Sequence, residues 1–304
     1  PLEAMDTVKQ RVLNIAKHNN LILNSDKFNE IYQWLVIAAK KKNCELKIMT
    51  NDRLLSILGI ESGKVDWNNK PDFVIFWDKD YKLARLLEKT GLKVFNNARA
   101  IEVCDDKALT FIALKNEEIK MPKTFMSPMT FEKEYSDYAF LMQVEGSLGF
   151  PFIIKANKGS FGAQVYKVNN HQEAIDTIKK IDGNEFIMQE FVKSSVGKDL
   201  RLNVVGNKVV ATMKRLNEDD FRANITNGGK MEQYNPTQKQ QDMALNVCRT
   251  LGLDFAGVDL MFGENDEPIF CEVNSNAHFK NICDCTGINV ADAIIEYVID
   301  KCKL

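Results

Sequence analysis

Phe255-Ala-Gly-Val-Asp-Leu-Met-Phe262, a five-residue turn, and Pro268-Ile-Phe-Cys-Glu-Val-Asn274 read together as two neighbouring strands. They carry Asp259, Glu272 and Asn274, a compact set of oxygen donors. Magnesium is a hard cation that takes such oxygens and keeps water and phosphate oxygens as its remaining ligands. Glu272 and Asn274 are two apart on one strand and share a face. Whether Asp259 joins that face depends on register, and a one-residue slip or bulge decides it. A surface hairpin with solvated acids is the plainer reading of this stretch alone, so the flanking sequence has to decide.

Working back from the hairpin, Asn235-Pro236-Thr237-Gln238 reads as a helix start, with Asn235 as cap and Pro236 at the first position. Met243, Val247 and Leu251 line one face of that helix, and Gly252 ends it. Leu200 to Val205 and Lys208 to Arg215 form a hairpin across Gly206-Asn207. Residues 216–230 are polar, contain glycine and lack a period, which predicts a mobile loop. Phe186 to Glu190 is a strand, preceded by a helix from about 171 to 180. Phe152-Ile-Ile-Lys155 and Ala163 to Val168 are strands joined by Asn157-Lys-Gly159-Ser160-Phe161-Gly162. Glycines let a backbone approach phosphate closely and cradle its oxygens with N–H groups, and Lys155 stands at the base of this loop. A simple hairpin turn is the alternative. It is not a Walker loop, which needs Gly-Lys-Ser/Thr opening a helix.

Other residues between these strands are weak signals singly. Glu190-Phe191 ends a strand where backbone groups can meet an adenine edge and apolar side chains its faces. Asp199 can accept from a ribose or orient a neighbour. Arg215, Arg222 and Asn224 flank the loop, and arginines neutralise charge on a transferring phosphoryl group. Each of these is also compatible with an ordinary surface role.

The first hundred residues alternate strands and helices. Leu21-Ile-Leu23, Glu45 to Met49, Phe73 to Phe76 and Leu92 to Phe95 read as strands. Phe28, Ile31, Leu35 and Ala38 recur at helical spacing, as do Leu83, Leu86 and Leu87 ahead of Gly91. That order predicts a doubly wound parallel α/β domain. No Gly-x-Gly-x-x-Gly follows the first strand, which argues against a dinucleotide site.

A chain of 304 residues has material for two domains. Its 40 basic and 42 acidic residues nearly balance, giving no sign of a nucleic-acid or membrane partner. Seven scattered cysteines without a CxxC pair fit a reducing cytoplasm. Cys283-Asp-Cys285 reads as structural thiols on a strand or loop. No apolar run is long enough to span a membrane, and no secretory signal opens the sequence. Pro1 to Ala4, ahead of Met5, are open to a reading as a processing remnant.

Several ordered motifs then resemble the ATP-grasp superfamily, and more closely its RimK-like amino acid (alpha-L-glutamate) ligase branch. They are Asn97-Ala-Arg-Ala-Ile-Glu-Val-Cys-Asp-Asp-Lys107 through Pro122-Lys-Thr124, Lys198-Asp-Leu-Arg-Leu-Asn-Val-Val-Gly206, Asp220-Phe-Arg-Ala-Asn224, Gly228-Gly229, Ala256-Gly-Val-Asp259 and Glu272-Val-Asn274. The resemblance spans roughly residues 95 to 300. It implies an ATP-grasp fold of mixed α/β and α+β type. A pre-ATP-grasp domain would occupy residues 1–100 and the ATP-grasp domain 101–304, with a lid at about 120–190 and a metal-binding part at about 191–304.

Roles follow from the resemblance. Lys107 and Lys155 would reach ATP phosphates, and Gly159, Ser160, Phe161 and Gly162 would form the flexible lid loop. Glu190 and Phe191 would sit at the adenine hinge with Asp199 nearby. Arg215, Arg222, Ala223 and Asn224 would contact the phosphates or an acyl phosphate. Asp259, Glu272 and Asn274 would hold two magnesium or manganese ions. Family members activate a carboxylate with ATP, and an amine then attacks to give an amide. The implied partners are ATP, an amino acid such as glutamate, and a carboxylate-bearing small molecule or peptide. A homo-oligomer is compatible with all of this. Such catalysis works by in-line positioning and charge neutralisation, so no nucleophilic triad is needed. One departure stands out: Ser275-Asn-Ala-His-Phe-Lys280 replaces the small Pro/Gly-containing stretch common in the branch. His278 is there a candidate for handling the amine, with plain packing as the alternative. A ligase that modifies or macrocyclises a precursor peptide, and a non-catalytic nucleotide sensor, are the rival readings.

Overall fold

The structure is a computed structural model, and it describes residues 10–15, 25–51, 71–159, 164–225 and 228–302. Three sheets follow one another along the chain. The first contains β1 (Gln10–Ile15), β2 (Glu45–Thr50), β3 (Phe73–Trp77) and β4 (Lys93–Phe95) in the order β2-β1-β3-β4, every pairing parallel. Parallel neighbours need crossovers, which α1 (Ser25–Lys41) and α2 (Tyr81–Lys89) supply. All five residues of β3 are buried, because both faces of the sheet are covered. Phe73, Ile75 and Trp77 meet Ile31, Leu35 and Ala38 of α1 on one side, while Val74 and Phe76 meet Leu83, Ala84 and Leu87 of α2 on the other. The strand expected at Leu21-Ile-Leu23 lies outside the described residues.

Two short helices, α3 (Ala98–Asp105) and α4 (Lys107–Leu114), lead out of this layer, with Asp106 capping α4 through Ala108 N and Leu109 N. The second sheet holds β5 (Thr124–Met126), β6 (Phe152–Ala156), β7 (Val165–Val168) and β8 (Phe186–Glu190) in the antiparallel order β5-β8-β6-β7. Phe152, Ile154 and Met188 pack beneath α5 (Phe140–Leu148) and α6 (His171–Ile181). Strand alternation turns Ile153, Lys155, Ile187 and Gln189 to the opposite face, where Lys155 pairs with Ile187 and Ile153 with Gln189.

The third sheet is antiparallel, ordered β11-β10-β9-β12-β13 from β9 (Lys198–Val205), β10 (Lys208–Leu216), β11 (Lys230–Gln233), β12 (Phe255–Phe262) and β13 (Pro268–Asn274). Leu200, Leu202, Val204, Val258, Leu260 and Val273 form an apolar face on Met243, Ala244 and Val247 of α7 (Gln238–Leu251). The far end of the other face carries Val205, Ala211, Met213 and Phe255. It closes against the first sheet and α9 (Val290–Cys302), with Trp77 stacked on Phe255 at 5.2 Å and edge-on to Phe279 at 5.5 Å. Aromatic pairs of this kind add about 0.5–1.5 kcal/mol each beyond burial.

Three local expectations change. The cap of α7 is Thr237, not Asn235: Thr237 Oγ1 accepts from Gln240 N at 3.3 Å while Gln240 Oε1 accepts from Thr237 N at 2.9 Å. This reciprocal box satisfies two backbone donors at once and outcompetes an Asn-Pro start. Cys283 and Cys285 stand on a helix, α8 (Lys280–Thr286), not on a strand or loop. The last residue of the aperiodic 216–230 stretch opens β11, since pairing with β10 orders even a fully exposed edge strand. No described helix is long and apolar enough to cross a membrane.

Candidate active site

The inner face of the second sheet and the polar face of the third enclose one cleft. It has two lobes that share Lys155, Gln189, Cys271 and Glu272. Every described candidate from the sequence except His278 lines it. Lys107, Gly159 and Asn274 belong to one lobe, and Glu190, Phe191, Asp199, Arg215, Arg222, Ala223, Asn224 and Asp259 to the other. Ser160, Phe161 and Gly162 lie outside the described residues. His278 is half-buried and lines neither lobe.

In the second lobe the chain leaves β8 at Glu190-Phe191-Val192. Glu190 N donates to Lys123 O at 2.9 Å, and Phe191 meets Phe221 edge-on at 6.2 Å with Lys167 Nζ 4.7 Å above its ring. Ile153, Val165 and Met261 supply further apolar wall. At its rim Arg222 holds Asp220 in a two-pronged pair, Nη2–Oδ2 2.7 Å and Nε–Oδ1 3.0 Å. That bond draws the Asp220 carboxyl below its ordinary value.

The floor is a four-group ion network created by strand register. Asp199 lies opposite Arg215, and Arg201 opposite Asp259. Arg215 binds Asp199 through both arms at 2.6 and 2.7 Å and reaches Asp259 Oδ2 at 2.8 Å. Arg201 grips Asp259 with Nε and Nη2, the latter at 2.7 Å. All four side chains are buried. Burial alone would raise the Asp259 carboxyl, but Arg201 and Arg215 outweigh it and hold the group at about 2. Burial likewise opposes the charge of Arg215, yet Asp259 and Asp199 keep it protonated well above the ordinary range. Burial pushes the Asp199 carboxyl up, against the pull of Arg215 and the weaker one of Arg201.

Arg201 is the member of this network that pattern reading left without a role, although it lies in the Lys198–Gly206 motif. Its signal is the Asp-x-Arg spacing on a strand, which turns both groups to one face. Gly257 makes room for it: a Cβ there would sit 2.6 Å from Ala277 Cβ and 3.1 Å from Arg201 Cδ.

A bulge between Asp259 and Leu260 decides the open question of register. It leaves Asp259 directly opposite Glu272 and Gly257 opposite Asn274, so all three oxygen donors share the cleft face. Asn274 Nδ2 donates to Glu272 Oε1 at 3.3 Å. No group of three or more His, Cys, Asp or Glu side chains suited to a metal occurs among the described residues. Two carboxylates and an amide instead suit an ion that keeps water and phosphate oxygens. Glu272 and Asn274 fit that description directly. Asp259 already accepts three guanidinium bonds, and a carboxylate offers about four positions, so it retains one.

Lys107 opens α4 facing this set. Its backbone N–H donates to Asn157 O at 3.1 Å, stitching α4 to the end of β6. Desolvation lowers the Lys107 ammonium below the ordinary lysine value, Glu272 opposes that shift, and Lys155 and Lys79 add to it. Lys79, at the end of β3, also lines this lobe and pairs with Asp105 at 2.5 Å.

A model of the RimK-like ATP-grasp domain matches residues 104–298. An uncharacterized protein of Mycoplasma genitalium, MG012, is 30% identical over 90% of this chain and 95% of its own length. A probable alpha-L-glutamate ligase of Legionella pneumophila is 35% identical over 72% of this chain and 71% of its own. The structure of D-alanine–D-alanine ligase from Bacillus anthracis complexed with ATP superposes with a TM-score of 0.73 at 17% identity. That superposition covers 97% of this chain and 98% of the other.

Proposed function

This chain belongs to the RimK-like ATP-grasp family, and from that premise we propose that it is an ATP-dependent carboxylate–amine ligase that joins an amino acid through its amine to a carboxylate. What supports the reading is convergence: every described residue that the resemblance assigns to ATP or metal lines a single cleft. In this assignment residues up to about 100 form the pre-ATP-grasp domain, those at about 120–190 the lid, and those from about 191 the metal-binding part.

The base would lie in the lobe at Glu190-Phe191, with the phosphates on Lys155 and Lys107 and the γ-phosphate facing Glu272, Asn274 and Arg222. Divalent magnesium or manganese ions held by Glu272, Asn274 and the remaining position of Asp259 would neutralise phosphate charge. The substrate carboxylate attacks the γ-phosphorus, the bond to the β-phosphate oxygen breaks, and ADP leaves with that electron pair. The amine then attacks the acyl carbon and phosphate departs. The new amide nitrogen releases one proton. The cleft's cations bind and orient the reacting groups, and its walls keep water from the acyl phosphate. Glutamate is the first amino acid to test, and the name of the Legionella relative points the same way.

Incubation with magnesium–ATP, pooled amino acids and a metabolite extract tests this, with ADP and products followed by mass spectrometry. The expected product is heavier than the carboxylate substrate by one amino acid minus water, with one ADP per bond. ATP binding without substrate-stimulated ADP would overturn the ligase reading in favour of a sensor. A product formed only with an added precursor peptide would move the substrate class to peptides.

Lys107 gives a pH signature. Its charge is complete below its lowered pKa and is lost as pH rises through that value. ATP affinity should therefore weaken at pH values below about 10.4, where an ordinary lysine would still be charged. Titrating ATP against Lys107→Arg should give a flat profile over the same range. Identical profiles for the two proteins would remove Lys107 from the phosphate contacts.

A further inference from the structure

We infer that Lys79, presented by the N-terminal parallel sheet, binds a carboxylate that the incoming amino acid keeps free while its amine reacts. This inference rests on the ligase reading above. It makes Lys79 a specificity residue that selects free amino acids over their C-terminal amides.

The order of groups along the cleft carries the argument. Glu190 and Phe191 belong to one lobe only, and Lys155 and Glu272 to both. Lys107, Asn274 and Lys79 belong only to the other. A nucleotide with its base at Phe191 and its phosphates on Lys155 and Lys107 ends its chain toward Lys79. The described cations of that lobe are Lys79, Lys107 and Lys155. With two of them on the nucleotide, the third described cation, Lys79 in its pair with Asp105, is the one that faces the second substrate.

Its origin agrees with that task. Lys79 precedes the residues matched by the family model, which begin at 104, so it enters the cleft from the other domain. It stands just past the carboxyl end of β3, the edge at which open parallel sheets receive ligands. Its turn is hydrogen-bonded on both sides: Lys79 N donates to Asp78 Oδ1 at 2.6 Å, and Tyr81 N donates to Lys79 O at 2.8 Å. Asp105 holds the ammonium at 2.5 Å, with side-chain exposures of 29% for Lys79 and 15% for Asp105, so the pair remains reachable from the cleft. The carboxylate that is activated disappears into the amide. A carboxylate that survives the reaction needs a lasting counter-charge in a site that excludes water.

The test compares the wild type with Lys79→Met and Lys79→Arg. Each receives magnesium–ATP, a metabolite extract stripped of amines by cation exchange, and either the pooled amino acids or the same pool as C-terminal amides. Wild type should release ADP at least tenfold faster with the acids at limiting concentration. Lys79→Met should raise the KM for the acids about tenfold, lose the preference over amides, and keep kcat and the ATP Kd within twofold. Lys79→Arg should keep the preference. Pairing Lys79→Met with Asp105→Asn removes the orphaned acid, and the lost preference should persist.

Equal wild-type rates with acids and amides would overturn the inference and leave the ligase reading intact. A weakened ATP Kd with unchanged KM for the acids would instead make Lys79 a phosphate contact. Recovery of the preference in the paired variant would make its role structural. No ADP release with either pool, or with an unstripped extract, would count against the ligase reading itself.

Discussion

Glu272→Ala is expected to lower substrate-stimulated ADP release roughly a thousandfold while leaving the unfolding midpoint unchanged. Glu272 is half-buried and accepts a hydrogen bond from the neighbouring Asn274 side chain, so little packing is lost. Substitutions of that kind stay within about 0.5 kcal/mol of wild type. The functional loss has two sources. Glu272 is the acid of the oxygen set that no described arginine occupies, unlike Asp259. It also supports the charge of Lys107 across the cleft.

Two readouts besides turnover separate those sources. Manganese binding in the presence of ADP should weaken at least tenfold if Glu272 holds an ion. Nucleotide binding in EDTA should weaken mainly at alkaline pH, where Lys107 without its partner loses its proton earlier. Glu272→Gln keeps the shape and loses the charge, so it should resemble the alanine variant. Wild-type ADP release by either variant at saturating magnesium would remove Glu272 from the ion set.

The same residue illustrates how far sequence could lead. The spacing of Glu272 and Asn274 gives their shared face from strand geometry alone. Asp259 sits on another strand, and its place depends on one extra residue in the ladder that no periodicity reveals. The alternating β9 pattern exposes Asp199 and Arg201 together, but only pairing across to Arg215 and Asp259 turns them into a closed network. Lys79 is less legible still. It lies in a turn far upstream, and only the packing of the first sheet onto the third brings it to Lys107 and Asn274. At the start of α7, two capping solutions compete within three residues, and the reciprocal Thr237–Gln240 box prevails. Long buried strands such as β3 and the β9–β10 hairpin were plain from composition and turn chemistry. Contacts between distant segments were not.

Arg215→Met is expected to destabilise the fold by about 3–5 kcal/mol, the range for removing one partner from a buried ion pair. The sequence suggested that Arg215 contacts phosphate, and the structure places it in the lobe wall with its guanidinium between Asp199 and Asp259. The two roles differ in what they predict. A phosphate contact, once lost, weakens ATP binding and spares the fold. A network member, once lost, leaves Asp199 buried without its hydrogen-bonded counter-charge while Asp259 keeps Arg201. The pH dependence follows from Asp199, whose carboxyl burial already pushes up. Without Arg215 its folded pKa rises further above the unfolded value near about 3.9, so the native state gains by taking up a proton as pH falls. The destabilisation should therefore be largest at neutral pH and shrink toward acid. Denaturant titrations of Arg215→Met at pH 7.5 and at pH 5, alongside the Asp199→Asn/Arg215→Met pair, read this directly. The pair, carrying no unpaired charge at Asp199, should recover more than half of the loss at neutral pH and show little pH dependence. An Arg215→Met protein of wild-type stability with weakened ATP binding would instead free Arg215 from the network and restore it to the phosphate.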